Sequence, residues 1–115
     1  MKIYEGERDM DGVQVTVDGT PLASRNDIRS FTHTGFEWGF VGPGPHQLAL
    51  ALLADHLGDD ERALALCRSF MERLTSQLDN DWRLTTADIS AELEKVSLKA
   101  YTHTTDISDR NCQLA

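Results

Sequence analysis

Apolar and polar positions repeat at two different periods along this chain, and the change from one to the other falls near Pro45. Before it, Val13, Val15 and Val17 alternate with Gln14 and Thr16, the two-residue period of a strand over Gly12–Asp18, and Lys2–Glu5 offers a shorter one. Asp18-Gly19 is a turn signal, and a polar connection follows to about Thr34, within which SRNDIRSF fits either one helical turn or an irregular loop. Phe36, Trp38 and Phe40 alternate with Glu37 and Gly39, which predicts a third strand over Phe36–Val41, antiparallel to the Val13–Val17 strand.

After Pro45 the apolar residues recur at three and four. The fixed φ and absent N–H of Pro45 suit the first turn of a helix, and Gly58 can take the left-handed conformation just past its end, so a helix is predicted over 45–57. Leu48, Ala49 and Leu52 form one stripe and Leu50, Leu53 and Leu57 widen it, which marks a central helix buried on most sides. Asp59-Asp60-Glu61 then places acids at a helix N-terminus, and Ala63, Leu64, Cys67, Phe70, Met71, Leu74 and Leu78 carry a second helix over 60–78, packed as a hairpin on the first. A third helix over 86–98 begins where Thr85 and Asp88 have near capping-box spacing, with Trp82 and Leu84 stapling its start and Ile89, Leu93 and Val96 facing inward.

These elements predict an α+β fold: a small antiparallel sheet of about three strands packed against a helical hairpin and a third helix. One domain spans residues 1–98. Residues 99–115 form a polar tail, either loosely held or an edge strand through Tyr101, His103 and Ile107. The expected core is Val15, Val17, Phe36, Trp38, Leu48, Leu52, Leu64, Phe70, Leu74 and Leu93.

Charge changes the picture more than composition does. Nineteen Asp and Glu oppose eleven Lys and Arg, a formal net charge of −8, so the surface field repels nucleic acid and favours basic partners. Direct nucleic-acid binding is therefore not expected. No window approaches a membrane span and MKIYEGERDMDG lacks the apolar core of a signal peptide, so a cytoplasmic protein, monomeric or a small homo-oligomer, is expected. Cys67 and Cys112 lie far apart, with no disulfide framework, and Cys67 reads as a small core hydrophobe.

Candidate chemistry is thin. His33, His46, His56 and His103 accompany many carboxylates, but His46 and His56 stand ten residues apart on one predicted helix, about 15 Å of rise, too far to share a metal. Neither metal nor cofactor is expected. Ser24, Ser30 and Ser69 lack an elbow signature, and neither cysteine stands in a Cys/His motif, so the chain is read as not an enzyme. Glu37, Asp55 and Asp59 could converge in space, as any few of nineteen acids could. The loop Val41-Gly42-Pro43-Gly44-Pro45 precedes a helix N-terminus in the outline of an anion site, but its prolines remove the donors a phosphate nest needs. It reads as a structural loop, with Trp38, Gly42, Gly44 and His46 as an alternative small-ligand pocket.

Three acidic clusters remain: Glu5, Glu7, Asp9 and Asp11; Asp59, Asp60 and Glu61; Asp79 and Asp81. They read as a solvated face with helix capping, or as a surface that complements a basic groove on another protein.

At VTVDGTPL, TGFEWGFVGPGP and QLALALLADHLGDDERALAL the chain resembles a family of small bacterial and mobile-element proteins known only as a domain of unknown function. The resemblance spans roughly Gly12 to Ile89, with Phe40 at the aromatic end of the strand block and Pro43 entering the glycine-rich loop. It implies no activity for any residue. It does imply an accessory protein of a phage or plasmid, and by analogy of size and charge an inhibitor of a host nucleic-acid-binding defence complex. The functional expectation is thus a non-enzymatic acidic interaction module with a basic or nucleic-acid-binding protein as partner. The alternative is a small-ligand module, or an enzyme, that uses the Gly42–Pro45 loop and the Trp38 face.

Overall fold

The valine alternation becomes a strand, and a hairpin forms on either side of it. In the computed structural model, which describes residues 1–105, β1 (Ile3–Asp9) turns through Met10 and Asp11 into β2 (Gly12–Val17), with Asp9 and Gly12 as the last paired residues. β2 then turns through Asp18 and Gly19 into β3 (Thr20–Pro21). Asp18 and Gly19 have φ of 51° and 85°, the two successive positive values that a tight hairpin matched to strand twist requires, and Asp-Gly is the pair that adopts them readily. Pro21 lies on the outermost strand, where its missing N–H removes nothing from the ladder.

The sheet has four strands in the order β3-β2-β1-β4, all antiparallel, and its fourth member corrects the predicted topology. Phe36–Val41 is not a strand. It crosses the molecule as irregular chain, with Gly35 and Gly39 at φ of 101° and 88°, values that break an extended ladder at both ends of the short run between them. The place beside β1 goes to β4 (Trp82–Thr85), the segment expected to staple the third helix. Its alternation, Trp82 and Leu84 buried and Arg83 exposed, is that of a half-buried strand. Gly6 stands opposite Trp82 in the register, and a Cβ at Gly6 would fall inside the Trp82 indole, so the absence of a side chain there is what lets the ring lie on β1.

Three α-helices cover the sheet: α1 (Pro43–Leu57), α2 (Asp60–Arg73) and α3 (Thr86–Thr105). Their ends follow the sequence signals except at the start of α1, which lies at Pro43 rather than Pro45, so that most of the predicted Gly42–Pro45 loop is the first turn of the helix. Gly58 closes α1 at φ 65°, Asp59 caps α2 by accepting from the Arg62 N–H, and Thr85 and Asp88 exchange reciprocal hydrogen bonds of 2.9 and 3.2 Å at the start of α3. α2 ends earlier than predicted, at Arg73, and a 3-10 turn over Thr75–Gln77 follows, held where the buried Thr75 hydroxyl donates to the Pro45 carbonyl. α3 continues past residue 98, so Tyr101 and His103 lie on a helical backbone rather than an edge strand; Ile107 and the rest of the expected tail lie outside the described residues. The connection around Arg25 to Ser30 is a turn, not a helix.

The core sits between sheet and helices, with α1 at its centre. Leu48 to Leu53 are wholly buried, as the widened stripe predicts, and α2 packs along α1. Val15, Trp38, Leu48, Leu52, Phe70 and Leu93 are buried as expected, whereas Val17, Phe36, Leu64 and Leu74 are only partly covered at its margin. Tyr4, Trp82 and Leu84 join the core because β4 joins the sheet.

Candidate functional site

Arg8 organises an open concave surface. By strand alternation it shares a face with Tyr4 and Gly6, but it lies at the far end of β1, where the sheet meets the irregular chain around Trp38 rather than the apolar core. One guanidinium nitrogen donates to Glu37 Oε1 at 2.7 Å and to the Trp38 carbonyl at 3.0 Å, and the other donates to Asn80 Oδ1 at 2.7 Å. Its plane stands 4.8 Å from the centre of the Trp38 ring, a cation–π distance. Trp38 Nε1 donates in turn to the Asn80 carbonyl at 3.2 Å, and the Arg8 N–H donates to Asp81 Oδ1 at 3.4 Å. Arg8 thereby ties β1, the Trp38 segment and the chain before β4 into one unit. Between them lies a groove of about 820 Å³, lined by Arg8, Glu37, Trp38, Phe40 and the stretch from Leu78 to Asp81.

The predicted acidic clusters separate into two fates. Glu5, Glu7 and Asp9 are exposed on β1 and Asp11 in the hairpin turn, where the Asp11 N–H donates to Asp9 Oδ1. Asp81 joins them, since a shallow depression is lined by Glu5, Glu7, Asp81 and Arg83. The first and third clusters are therefore neighbours across the β1–β4 ladder. The middle cluster is occupied locally: Asp59 caps α2, and Asp60 accepts from Arg25 at 2.9 Å.

The alternative pocket of Trp38, Gly42, Gly44 and His46 is not assembled. Trp38 lines the Arg8 groove, but Gly44 is buried, and a Cβ there would stand 2.6 Å from Glu37 Cβ, so this glycine serves close packing. His46 points elsewhere, stacked on Phe31 at 3.6 Å between ring centres, with Nε2 3.3 Å from Cys67 Sγ. Sequence spacing could not reveal this Cys–His contact, because it joins neighbouring helices. Burial pushes the Cys67 thiol up to about 11, so the pair holds a protonated thiol rather than a nucleophilic thiolate.

Gln47 is a residue that the apolar reading of α1 passed over. It is wholly buried: its amide donates to the Ser24 and Arg29 carbonyls at 2.8 and 3.1 Å, and its oxygen accepts from the Phe31 N–H at 2.8 Å. A further polar group closes the C-terminal end of α1. Asp55 accepts from the Tyr4 hydroxyl at 2.6 Å and from Lys2, while His56 Nε2 stands 3.3 Å from Ser90 Oγ. Burial, reinforced by the Asp55 hydrogen bond, raises the Tyr4 phenol above its ordinary range. Glu37, Asp55 and Asp59, considered as convergent acids, serve three different partners: Arg8, Tyr4 with Lys2, and the α2 N-terminus. Among the described residues no group of three or more His, Cys, Asp or Glu could hold a metal ion, and no helix is long and apolar enough to cross a membrane.

His46 and His56 give the fold a pH dependence. Burial lowers both below 6.5, with the Arg68 charge adding to the effect at His46 and Asp55 opposing it at His56. A histidine lowered in the folded state binds its proton more readily when unfolded, so stability is full above 6.5 and falls as the pH drops from there toward the lowered folded values. Thermal melts are expected to lose a few degrees between pH 7 and about pH 5, with the loss reduced in His46→Gln; an unchanged loss in that variant would remove His46 from the account.

Residues 4–95 match a family of unknown function, DUF6166, a span that reaches from β1 into α3 and includes the whole groove. No curated protein and no solved structure matches the chain.

Proposed function

This chain belongs to the family of unknown function DUF6166, and we propose that it is a non-enzymatic, acidic protein–protein interaction module. The observation that carries this reading is the grouping of carboxylates around β1. Glu5 and Glu7 stand exposed on one face of the sheet, Asp9 and Asp11 continue them at the hairpin, and Asp81 is drawn alongside by the Arg8 N–H. Opposing cations are few: Arg83 lies across from Glu5, and Arg8 is committed to Glu37 and Asn80. Such a surface offers a basic protein what a phosphate backbone would offer it, a row of anions at close spacing. The partner class proposed is therefore a basic, nucleic-acid-binding protein, with a host defence complex opposed by a mobile element as the biological setting. The protonated Cys67 thiol beside His46 supports the non-enzymatic part of the reading.

Charge attraction of this kind weakens with ionic strength. Capture of a basic protein from host lysate is expected at low salt and lost as salt rises past about 0.5 M. Glu5→Lys with Glu7→Lys should weaken capture with only a small loss of melting temperature, since neither carboxylate has an ion-pair partner among the described residues and only the Glu5 change sets like charges opposite each other, against Arg83. Reversal at Asp59 should instead cost about 1 kcal/mol of stability through the lost cap. Capture indifferent to both salt and the Glu5 and Glu7 reversals would move the weight to a small ligand in the groove beside Trp38.

A further inference from the structure

We propose that the groove beside Arg8 seats a segment of a partner protein that presents a lysine or arginine next to a bulky apolar side chain; this rests on the interaction-module reading and gives it a place and a chemistry.

The apolar half of that specificity comes from Phe40. It is 49% exposed and its neighbour Val41 65%, the two adjacent large hydrophobics that stand exposed among the described residues. The ring is not loose. A Cβ at Gly42 would stand 2.9 Å from Phe40 Cε2, so the ring folds back over a position that has room for it only because it is glycine. Gly39 fixes the other side through a 2.9 Å hydrogen bond from its N–H to the Thr75 carbonyl, and Trp38 beneath is buried and bonded to Asn80. A half-exposed aromatic on an anchored segment loses little freedom on binding, which is the character of an interface anchor.

The charged half comes from the carboxylates that line the same groove. Asp79 and Asp81 have no ion pair with a lysine or arginine among the described residues, and the Glu37 side chain is 41% exposed despite its bond to Arg8. Three carboxylates thus share the groove with one guanidinium, which already gives three of its hydrogen bonds to Glu37, Trp38 and Asn80 and its face to Trp38. An anionic ligand would meet net repulsion from the three carboxylates. A cation would meet Asp79 and Asp81, with the Phe40 face close by for its aliphatic stem or an adjoining apolar residue.

The test uses a displayed library of random twelve-residue peptides panned against the full chain at low salt, with the enriched sequences synthesised and titrated by fluorescence anisotropy. Enriched peptides are expected to carry Lys or Arg within two positions of a Leu, Met, Phe or Trp. Phe40→Ser, and separately Asp79→Lys with Asp81→Lys, should each weaken their binding about tenfold or more, while Glu94→Lys, at an exposed carboxylate on α3 away from the groove and from the β1 acids, changes it less than about threefold. Thermal melts of each variant confirm folding, and Gly42→Ala, which displaces the Phe40 ring without removing it, gives a second route to the same loss. Failure to enrich a basic-apolar motif, binding indifferent to Phe40→Ser, or self-association of the chain that depends on Phe40 would each overturn the proposal. Salt-sensitive capture from lysate that is lost with the Glu5 and Glu7 reversals but unaffected by the groove variants would retire the groove and leave the interaction-module reading standing. No salt-sensitive capture would retire both.

Discussion

Trp38→Ala is expected to destabilise the fold by about 3–5 kcal/mol, the range for truncating a fully buried aromatic. At the size of this domain that corresponds to a fall in melting temperature of roughly 10–20 °C. The residue is 1% exposed and meets Trp82 edge to face at 5.7 Å, so truncation opens a cavity against a rigid neighbour that cannot collapse into it. Two further contacts go with the ring: the Nε1 hydrogen bond to the Asn80 carbonyl and the surface on which the Arg8 guanidinium lies. Trp38→Phe should recover part of the loss, since it restores ring packing but not the hydrogen bond. Circular dichroism melts check both, and an alanine variant melting within a degree or two of wild type would refute the placement of Trp38 as the joint between sheet and groove.

Gln47→Leu is the second large effect, expected at about 2–4 kcal/mol although leucine is the more apolar residue at a wholly buried position. Glutamine there satisfies the Phe31 N–H and the Ser24 and Arg29 carbonyls at once, and leucine leaves all three without a partner from α1. The damage should be local before it is global. Amide exchange at Phe31 is expected to accelerate by more than the overall loss of stability explains, because the connection around Arg25 to Thr32 has few backbone hydrogen bonds of its own. Equal exchange rates at Phe31 in the two proteins would show that the connection holds without Gln47.

What the sequence made legible, and what it hid, follows from how far each signal reaches. Gly58, Asp59 and the Thr85–Asp88 pair act within four residues of themselves, and each is found in its predicted role. The Val13 to Val17 alternation is likewise a strand. Phe36 to Phe40 carries the same alternation and is not one, since period alone cannot tell a strand from an extended segment whose flanking glycines turn it off the ladder. WRLT was obscured for the opposite reason: four residues running directly into a helix are too few for their alternation to stand out. The acidic residues were legible as a list, but that Asp81 joins Glu5 and Glu7 while Asp59 and Asp60 are occupied by a cap and Arg25 depends on the β1–β4 pairing. Arg8 gave no signal at all, a single basic residue among acids whose partners come from positions 37, 38 and 80.

That pairing also sets when the fold can close. β1 leaves the ribosome ahead of β2 and finds it at once across a two-residue turn, but its other neighbour emerges only after α1 and α2, Ile3 pairing with Thr85. Throughout synthesis of the intervening helices, one backbone edge of β1 is open to any other nascent strand. Its side chains answer that exposure: Glu5, Glu7 and Asp9 put three negative charges along an edge that would otherwise template its own aggregation. The carboxylates proposed above to hold a partner in the finished protein would, on the same physics, keep unfinished copies apart.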